Sequence, residues 1–188
     1  RIGCAFAAWL KPRTVVVGRD VRPHSVPLMD ALAAGLTRHG TEVLDLGLCS
    51  TPMSYYANGT LGADASIMIT ASHNPAEWNG FKLCRAQAVP ISGATGIAEI
   101  ERIVESGEFG PPAASPGRIR PVAIADRYRD FVRSHARLRR RLRVAMDFAN
   151  AMGIVEAAAL EGLFDTVRLF DTLDGSFPHH EANPLKTE

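Results

Sequence analysis

The sequence predicts an α/β protein: a three-layer α/β/α domain with a mixed, mostly parallel sheet, followed by a partial second domain of similar fold. Two observations support this class. Short β-branched apolar runs alternate with stretches of helical periodicity, and the connections between them are short, as in parallel strands joined by helices. The 188 residues are also 46% hydrophobic and 22% charged, which is typical of globular domains with a buried core.

The first half of the chain alternates between strand and helix patterns. Residues 14–18 form a β-branched run without polar alternation, as expected for a strand buried on both faces. Leu28, Leu32 and Leu36 lie on one helical face behind Ser25, a suitable N-cap residue. The predicted elements are a helix within 1–10, strands over 14–18, 42–47 and 66–70, helices over 25–39 and 51–61, a short segment over 81–84, and a helix over 93–106 that places Ile97, Ile100 and Val104 on one face.

The second half repeats this alternation after an interruption. Residues 107–121 contain four prolines and three glycines, which predicts a linker or surface loop. The stretch 123–142 has helical periodicity, and a strand over 143–147, a helix over 153–161 and a strand over 166–170 then begin a second α/β unit. We therefore expect a first domain over residues 1–137 and a partial second domain over 138–188.

Charge and apolar patterning restrict the partners. The formal net charge is +1, so the chain lacks the strongly basic balance of most nucleic-acid-binding proteins. Six arginines fall between positions 133 and 143, and we favour a solvated helix face over a phosphate or nucleic-acid patch. The apolar stretches are too short to cross a bilayer, and Cys4, Cys49 and Cys84 form no C-x-x-C pair. We expect a cytoplasmic protein that binds neither nucleic acid nor membrane.

Three further patterns carry their own expectations. Asn58-Gly59-Thr60 fits a glycosylation sequon, but Asn-Gly also favours a turn, which we prefer. His179-His180-Glu181 resembles a metal motif, yet adjacent histidines in an extended segment point in opposite directions. The chain opens without an initiator Met and ends in Thr187-Glu188, an order that usually begins a helix, so we expect a fragment of a longer polypeptide.

The segment most suggestive of chemistry is 70–75, Thr-Ala-Ser-His-Asn-Pro. It follows a predicted buried strand, where parallel α/β sheets present loops to ligands. Pro75 keeps Asn74 out of the helical region, so the Ser72 hydroxyl can face outward. A turn at 79–80 could bring Lys82 back toward Ser72. A serine beside a histidine and near a lysine is a generic nucleophile set, whereas the alternative is a serine that caps the loop.

The same string, followed by Asn-Gly-Phe-Lys at 79–82, resembles the phosphoserine loop of the α-D-phosphohexomutases, the phosphomannomutase and phosphoglucomutase family. Three other segments agree in order and approximate spacing. Residues 17–22 resemble the family's G-R-D-x-R segment of the first domain, and residues 174–178 together with Asn183-Pro184 resemble a second-domain segment. The resemblance therefore runs over nearly the whole chain.

The resemblance implies an activity and a set of site residues. A phosphoserine at Ser72 would exchange phosphoryl groups with hexose 1- and 6-phosphates through a hexose 1,6-bisphosphate. His73 would position the phosphate, and Lys82 would assist proton transfer or balance charge. Arg19, Arg22 and Asn74 are candidate phosphate-binding residues, although an Arg-Asp-x-Arg turn is also typical of an internal ion-pair clamp, which we favour.

The resemblance also implies a Mg²⁺ ion, bound through a phosphoryl oxygen on Ser72. The family completes that site with a D-G-D-x-D-R loop, and no such string occurs in the sequence. We therefore expect no mutase activity from the 188 residues alone. The choice among mannose, glucose and glucosamine phosphates stays open, as does the oligomeric state.

Two other functions compete with the mutase interpretation. The chain could be a noncatalytic fragment that binds sugar phosphates or a partner protein with the same fold. A serine hydrolase is the second alternative, but His73 is adjacent to Ser72 and badly placed to act as its base.

Overall fold

The computed structural model describes residues 1–183. Pro184 of the Asn183-Pro184 segment and the Thr187-Glu188 pair therefore lie outside the described residues. The helices are α1 (Ile2–Leu10), α2 (Ser25–Arg38), α3 (Thr51–Leu61), α4 (Ala98–Ser106), α5 (Ala125–Ser134) and α6 (Gly153–Leu160). The strands are β1 (Thr14–Arg19), β2 (Glu42–Leu48), β3 (Ala65–Ile69), β4 (Phe81–Arg85), β5 (Ile119–Pro121), β6 (Arg143–Asp147) and β7 (Asp165–Leu169).

Five of these strands form one mixed sheet in the order β4-β3-β1-β2-β5. β1 lies at the centre, parallel to both β2 and β3, and β5 extends the sheet in parallel beyond β2. β4 alone runs antiparallel, with Met68 of β3 opposite Lys82 of β4. The carboxyl ends of β1 and β3 therefore meet the amino end of β4 at one edge of the sheet, where the Ser72 loop (residues 70–80) begins.

Helices cover both faces of this sheet and produce the predicted three layers. Val15 and Val17 of β1 pack into one core with α1, α2 and α4, where Phe6 and Leu36 are fully buried. Val16 points to the other face and packs with residues of α3 and α5. Because successive strand side chains point to opposite faces, the unbroken valine run serves both cores at once.

The second unit (residues 143–183) contains a two-stranded parallel sheet, β6 beside β7, with α6 as their crossover. The 137/138 boundary falls between α5 and β6, and that domain division remains our proposal. α5 lies between the two units, since it packs on α3 of the first unit (residues 1–134) and on α6. No helix within residues 1–183 is long and apolar enough to span a bilayer.

The helix predicted over 123–142 is much shorter than its periodicity suggests. α5 ends at Ser134, and Phe131 on its apolar side is 47% exposed. The C-cap residue of α5 is His135, so the arginines from position 137 onward lie beyond the helix. Arg137 donates to the carbonyls of Ser134 and Ala136 beyond the helix end. The arginine-rich stretch is therefore mostly a loop, so the predicted solvated helix face is wrong.

The segment predicted as a loop over 107–121 contributes a strand. Its last three residues form β5, whose Pro121 lies opposite Asp45 at the edge of the sheet. An edge strand tolerates proline because its outer N–H has no ladder partner to lose. Gly117 lets the chain before β5 pass close to the backbone of Thr41. A Cβ at position 117 would come within 1.9 Å of the Thr41 carbonyl oxygen.

Local details of three other predictions differ. Ser25 is the first residue of α2 rather than its N-cap, which is His24. Ile97 precedes α4 in a tight turn and is 41% exposed, so only the later positions of that pattern reach the core. Asn58-Gly59 forms no turn, because it lies inside α3, where the buried Asn58 amide donates to Ser66 Oγ and the Arg85 carbonyl.

Candidate active site

A cleft of about 920 Å³ lies between the two units, at the carboxyl ends of β1 and β3. One wall belongs to the first unit and includes Ser72, His73 and Lys82. The second unit supplies the opposite wall, with Phe170 and His179 among its side chains. The Ser72 loop therefore lies on an open cleft that two α/β units form together.

Ser72 occupies a strained position at the mouth of this cleft. Its φ is 57°, in the left-handed region that non-glycine residues rarely adopt, and the residue is exposed. The Ser72 N–H donates to Thr70 Oγ1 at 3.0 Å, and the Asn74 N–H donates to the Ala71 carbonyl at 3.1 Å. These short-range bonds fold the backbone into a tight turn that presents the serine outward. Strained backbone of this kind clusters at functional sites.

Arg22 holds the loop from beneath. The residue is 1% exposed, and its Nε donates to Asp20 at 3.1 Å. Its two terminal nitrogens donate to four main-chain carbonyls of the loop, those of Ser72, Asn74, Pro75 and Trp78. All the guanidinium nitrogens are therefore engaged within the protein. The structure has the ion-pair clamp rather than a free cation for a phosphate.

A network of polar side chains also holds the Ser72 loop in place. Asp20 Oδ1 accepts from the Arg22 N–H and from Ser25 Oγ, the latter at 2.6 Å. Asn79 Nδ2 donates to the same Ser25 oxygen at 2.9 Å. The Thr70 N–H donates to the Gly80 carbonyl and closes the loop at its two ends. Ser25 therefore contributes its hydroxyl to this network instead of capping α2.

The six candidate residues are not all brought together. Ser72, His73 and Lys82 line the cleft together with Arg22, which is only 1% exposed. Arg19 is half-buried, donates to the Asp20 carbonyl at 3.3 Å and does not line the cleft. Asn74 is exposed, and its side chain does not line the cleft either. Within residues 1–183, His73 is not recorded with a hydrogen bond to a carboxylate, so it lacks the acid partner that the base of a serine hydrolase has.

The segment at 174–178 docks the second unit against the clamp. Gly175 is buried, and a Cβ there would lie 2.4 Å from the Val21 carbonyl oxygen and 2.8 Å from Arg22 Cα. Phe177 places its ring 5.0 Å from the guanidinium carbon of Arg22. Glycine is therefore required for this close approach, and the aromatic ring covers the buried cation.

Two histidines of the second unit line the cleft, and neither was among the predicted site residues. His180 Nε2 lies 3.0 Å from Asp147 Oδ1, and its Nδ1 lies 2.8 Å from the Glu181 carbonyl. Partial burial opposes ionisation of Asp147, but the Ala149 N–H and His180 outweigh it and lower the pKa of that carboxyl. Both histidine rings contact Phe170, one stacked and one edge-on.

Glu156 joins α6 to the first unit at the other side of the cleft. Its carboxylate accepts from Ser50 Oγ, the N-cap of α3, and from the Tyr128 hydroxyl at 2.9 Å. Burial, followed by the hydrogen bond to Glu156, raises the pKa of Tyr128 above its ordinary range. Sequence patterns give no sign of this bridge because it joins three separate helices.

The described residues do not by themselves form a Mg²⁺ site. No group of three His, Cys, Asp or Glu side chains in residues 1–183 could hold a metal ion. Three of the carboxylates that line the cleft already have partners: Asp20 binds Arg22, Asp147 binds His180, and Glu156 binds Ser50 and Tyr128. Mg²⁺ favours carboxylate and phosphate oxygens in octahedral arrangement, which this donor set does not offer.

The fold and the loop together define a three-layer α/β/α domain of the phosphohexomutase type, with an exposed serine at the carboxyl ends of its parallel strands. Residues 1–111 match the family model described as phosphoglucomutase/phosphomannomutase, alpha/beta/alpha domain I. The chain belongs to the phosphoglucomutase/phosphomannomutase family.

Individual relatives agree with this assignment. The phosphomannomutase of Salmonella typhimurium is 38% identical over 198 residues, which cover 100% of this chain and 43% of that protein. A phosphomannomutase of Klebsiella pneumoniae is 47% identical over 131 residues, covering 69% of this chain and 83% of that one. The crystal structure of a Burkholderia thailandensis phosphoglucomutase/phosphomannomutase family protein superposes with a TM-score of 0.86 at 30% identity, over 96% of this chain and 41% of that one. The chain thus spans less than half the length of the Salmonella relative.

Proposed function

We propose that this chain supplies the phosphoserine loop of a phosphohexomutase that interconverts hexose 1-phosphates and hexose 6-phosphates. One observation carries the proposal. Ser72 is exposed in a strained turn whose backbone the buried Arg22 clamps, and Lys82 lines the same cleft. A rigid, outward-facing serine near a cation suits a group that accepts and returns a phosphoryl group.

The proposed reaction has two transfers that balance. In the first, the bond between phosphorus and Ser72 Oγ breaks as a sugar hydroxyl oxygen bonds to phosphorus, and the hydroxyl proton passes to a base. In the second, the other phosphoryl group of the resulting hexose 1,6-bisphosphate moves to Ser72 Oγ, and the sugar oxygen that it leaves takes a proton. The enzyme ends phosphorylated, as it began, and no water is consumed. The bisphosphate is therefore both the intermediate and the species that can load the serine.

Lys82 and His73 are the proposed partners of Ser72 in these transfers. A phosphoserine carries about −1.5 to −2 charges at neutral pH and meets an anionic sugar phosphate, so a nearby cation is needed. Lys82 of β4 lines the same cleft as Ser72, and its ammonium is the group proposed to balance that charge or exchange a proton. His73, the next residue in the loop, can hydrogen-bond the phosphoryl oxygens. Arg22 acts only through the shape of the loop.

Mg²⁺, the cofactor that the resemblance implies, enters this proposal only as an ion that would be bound by a phosphoryl oxygen on Ser72. The cleft carboxylates are engaged elsewhere, and we route no step through the ion. Because further donors are needed, we expect no turnover from the 188 residues alone. We propose small-molecule hexose phosphates as the substrates, without a choice among mannose, glucose and glucosamine.

A chimera tests the proposal. This chain would replace the corresponding segment of the Salmonella phosphomannomutase, and the product would be assayed for hexose phosphate interconversion and mapped for phosphoserine. We expect an active chimera phosphorylated on Ser72, inactive as Ser72→Ala and unaffected by Ser115→Ala at an exposed loop position. A phosphoryl group on another residue, or a fully active Ser72→Ala variant, would overturn it. Sugar phosphate binding without transfer would support the noncatalytic alternative.

A further inference from the structure

Serine is an unusual residue for the position that Ser72 occupies in its loop. The Asn74 N–H donates to the Ala71 carbonyl, which closes a four-residue turn with Ser72 as its second residue. The φ of Ser72 is 57°, and turns with a positive φ at that position are dominated by Gly, Asn and Asp. Such strain persists only where the surrounding structure holds the residue in place. The contacts that hold Ser72 are therefore part of the site.

Arg22 fixes only one side of Ser72. Its guanidinium donates to the carbonyls of Ser72 and Asn74, at 3.1 and 2.7 Å, and its other loop contacts are with carbonyls further along the chain. All these acceptors follow the Cα atom of Ser72. The φ angle, however, is a rotation about the bond between N and Cα. A contact on the amide side of Ser72 is therefore needed to fix it.

Thr70 supplies that contact. Its Oγ1 accepts the Ser72 N–H at 3.0 Å. Thr70 follows β3, whose five residues are all buried, and its own N–H donates to the Gly80 carbonyl at 2.9 Å. The threonine is 8% exposed and lines the cleft. The acceptor for the Ser72 amide is therefore attached to the end of a buried strand.

We propose that Thr70 is a positioning residue for Ser72. Because Arg22 holds its carbonyl and Thr70 holds its N–H, Ser72 is restrained on both sides of Cα, and its side chain keeps one direction from the turn. Loss of the Thr70 hydroxyl frees the peptide between residues 71 and 72 to rotate, so Ser72 can leave the left-handed region. Thr70 itself takes no part in phosphoryl transfer, and its effect on transfer rests on the proposed function.

The alternative is a structural role alone, in which the Thr70 hydroxyl adds one more hydrogen bond at the end of β3. The two roles differ in what the loss of the hydroxyl affects. A structural bond would lower the protection of the sheet, whereas a positioning bond changes the turn and, through it, the rate of transfer. Misplacing a reacting group by about 1 Å can slow a reaction about a hundredfold.

Hydrogen exchange in the 188-residue chain, measured by NMR, tests the turn. Thr70→Val removes the hydroxyl and keeps the shape of the side chain, whereas Thr70→Ser keeps the hydroxyl. We expect the Ser72 amide to exchange about fivefold faster in Thr70→Val, the loss typical of one net hydrogen bond, and close to the parent rate in Thr70→Ser. Amides of β1 should be unaffected. Thr60→Val is the matched control, because the exposed Thr60 hydroxyl donates to the Tyr56 carbonyl within α3.

The chimera with the Salmonella phosphomannomutase tests the consequence for transfer. Thr70→Val should lower kcat about a hundredfold and leave KM for a hexose 1-phosphate within about twofold of the parent value, because binding does not use the hydroxyl. Thr70→Ser should restore most of the rate. Thr60→Val should change neither constant.

Each result decides the inference. It is overturned if the Ser72 amide exchanges alike in the parent chain and in Thr70→Val, or if Thr70→Val accelerates exchange in β1 to the same extent. It is also overturned if the Thr70→Val chimera works at the parent rate. A parent chimera without a phosphoryl group on Ser72 removes the mutase proposal instead, and faster amide exchange in Thr70→Val would then still establish that Thr70 holds the turn.

Discussion

The guanidinium of Arg22 lies over the ring of Phe177, with 5.0 Å between its central carbon and the ring centroid. The same guanidinium holds the backbone of the Ser72 loop from its other side. One buried cation therefore connects the docking segment of the second unit with the loop that presents Ser72. Arg22 therefore contributes both to the docking of the second unit and to the shape of the loop, alongside the Glu156 bridge and the Asp20–Ser25 network.

Replacing Arg22 with methionine should be strongly destabilising. The substitution would leave Asp20 as a buried carboxylate without its cation and would leave four loop carbonyls without that donor. Breaking a buried pair by removing one partner costs about 3–5 kcal/mol, measurable as a lower free energy of unfolding in urea. Arg13→Met, which removes the partner of Asp64 from a 92% exposed side chain, should cost about 0–1 kcal/mol. Equal losses in the two variants would contradict the clamp.

Substituting Gly175 with alanine should loosen the second unit. The added Cβ would overlap the Val21 carbonyl, which belongs to the backbone and cannot rotate away. Overpacking of this kind costs about 1–3 kcal/mol, and hydrogen exchange should accelerate across 171–183. Gly59→Ala provides the control, because its Cβ would meet nothing within 4 Å inside α3 and should be neutral or stabilising. Unchanged exchange in Gly175→Ala would show that the docking is not tight.

The Asp147–His180 pair should make stability depend on acid pH. A carboxyl whose pKa is lowered on folding stabilises the protein above its unfolded pKa, and that contribution disappears as the pH falls through the folded value. Asp147→Asn should therefore be less stable than the parent at neutral pH, and the difference should vanish as the pH falls below about 4. Thermal unfolding across this range is the measurement, with the exposed Asp30→Asn as reference. A difference independent of pH would mean that the pair contributes packing alone.

Glu156→Gln should change the ionisation of Tyr128. The raised pKa of Tyr128 comes first from burial and then from the Glu156 carboxylate, so removing the charge should lower the pKa part of the way toward its ordinary value. Absorbance of the phenolate, recorded against pH, reports this directly, and Tyr128→Phe identifies the band. Glu101→Gln at an exposed helix position is the control. If the phenolate titrates as in the parent chain, Glu156 does not face Tyr128 in solution.

The elements that sequence predicts well are those fixed by short-range patterns. α3 begins and ends where expected, since Ser50 caps it and Gly62 terminates it in the left-handed region. β1 is a buried apolar run, and its valines can only lie between two layers. The prediction is wrong at the arginine-rich end of α5, because apolar periodicity alone does not show whether a side chain finds a core, and Leu138 there is 45% exposed.

The candidate site also has one part that the sequence predicts and one part that it does not. The Ser72 loop is visible in sequence because its residues are contiguous, and the clamp was one of two open interpretations of the Arg-Asp-x-Arg turn. Which one the structure has depends on where the loop carbonyls lie, about 50 residues away in sequence. The His179-His180-Glu181 pattern was visible in sequence, but its place opposite the Ser72 loop follows only from the docking of the two units, which no local pattern gives.

The Ser72 loop owes its shape to contacts made with its main chain. Arg22 reaches the carbonyl oxygens of Asn74, Pro75 and Trp78 and none of their side chains, and Trp78 leaves 61% of its surface exposed. Because every amino acid carries the same carbonyl, residues 76–78 can be exchanged freely while the serine stays where it is. The turn that presents Ser72 can therefore keep its shape while the side chains that follow it change.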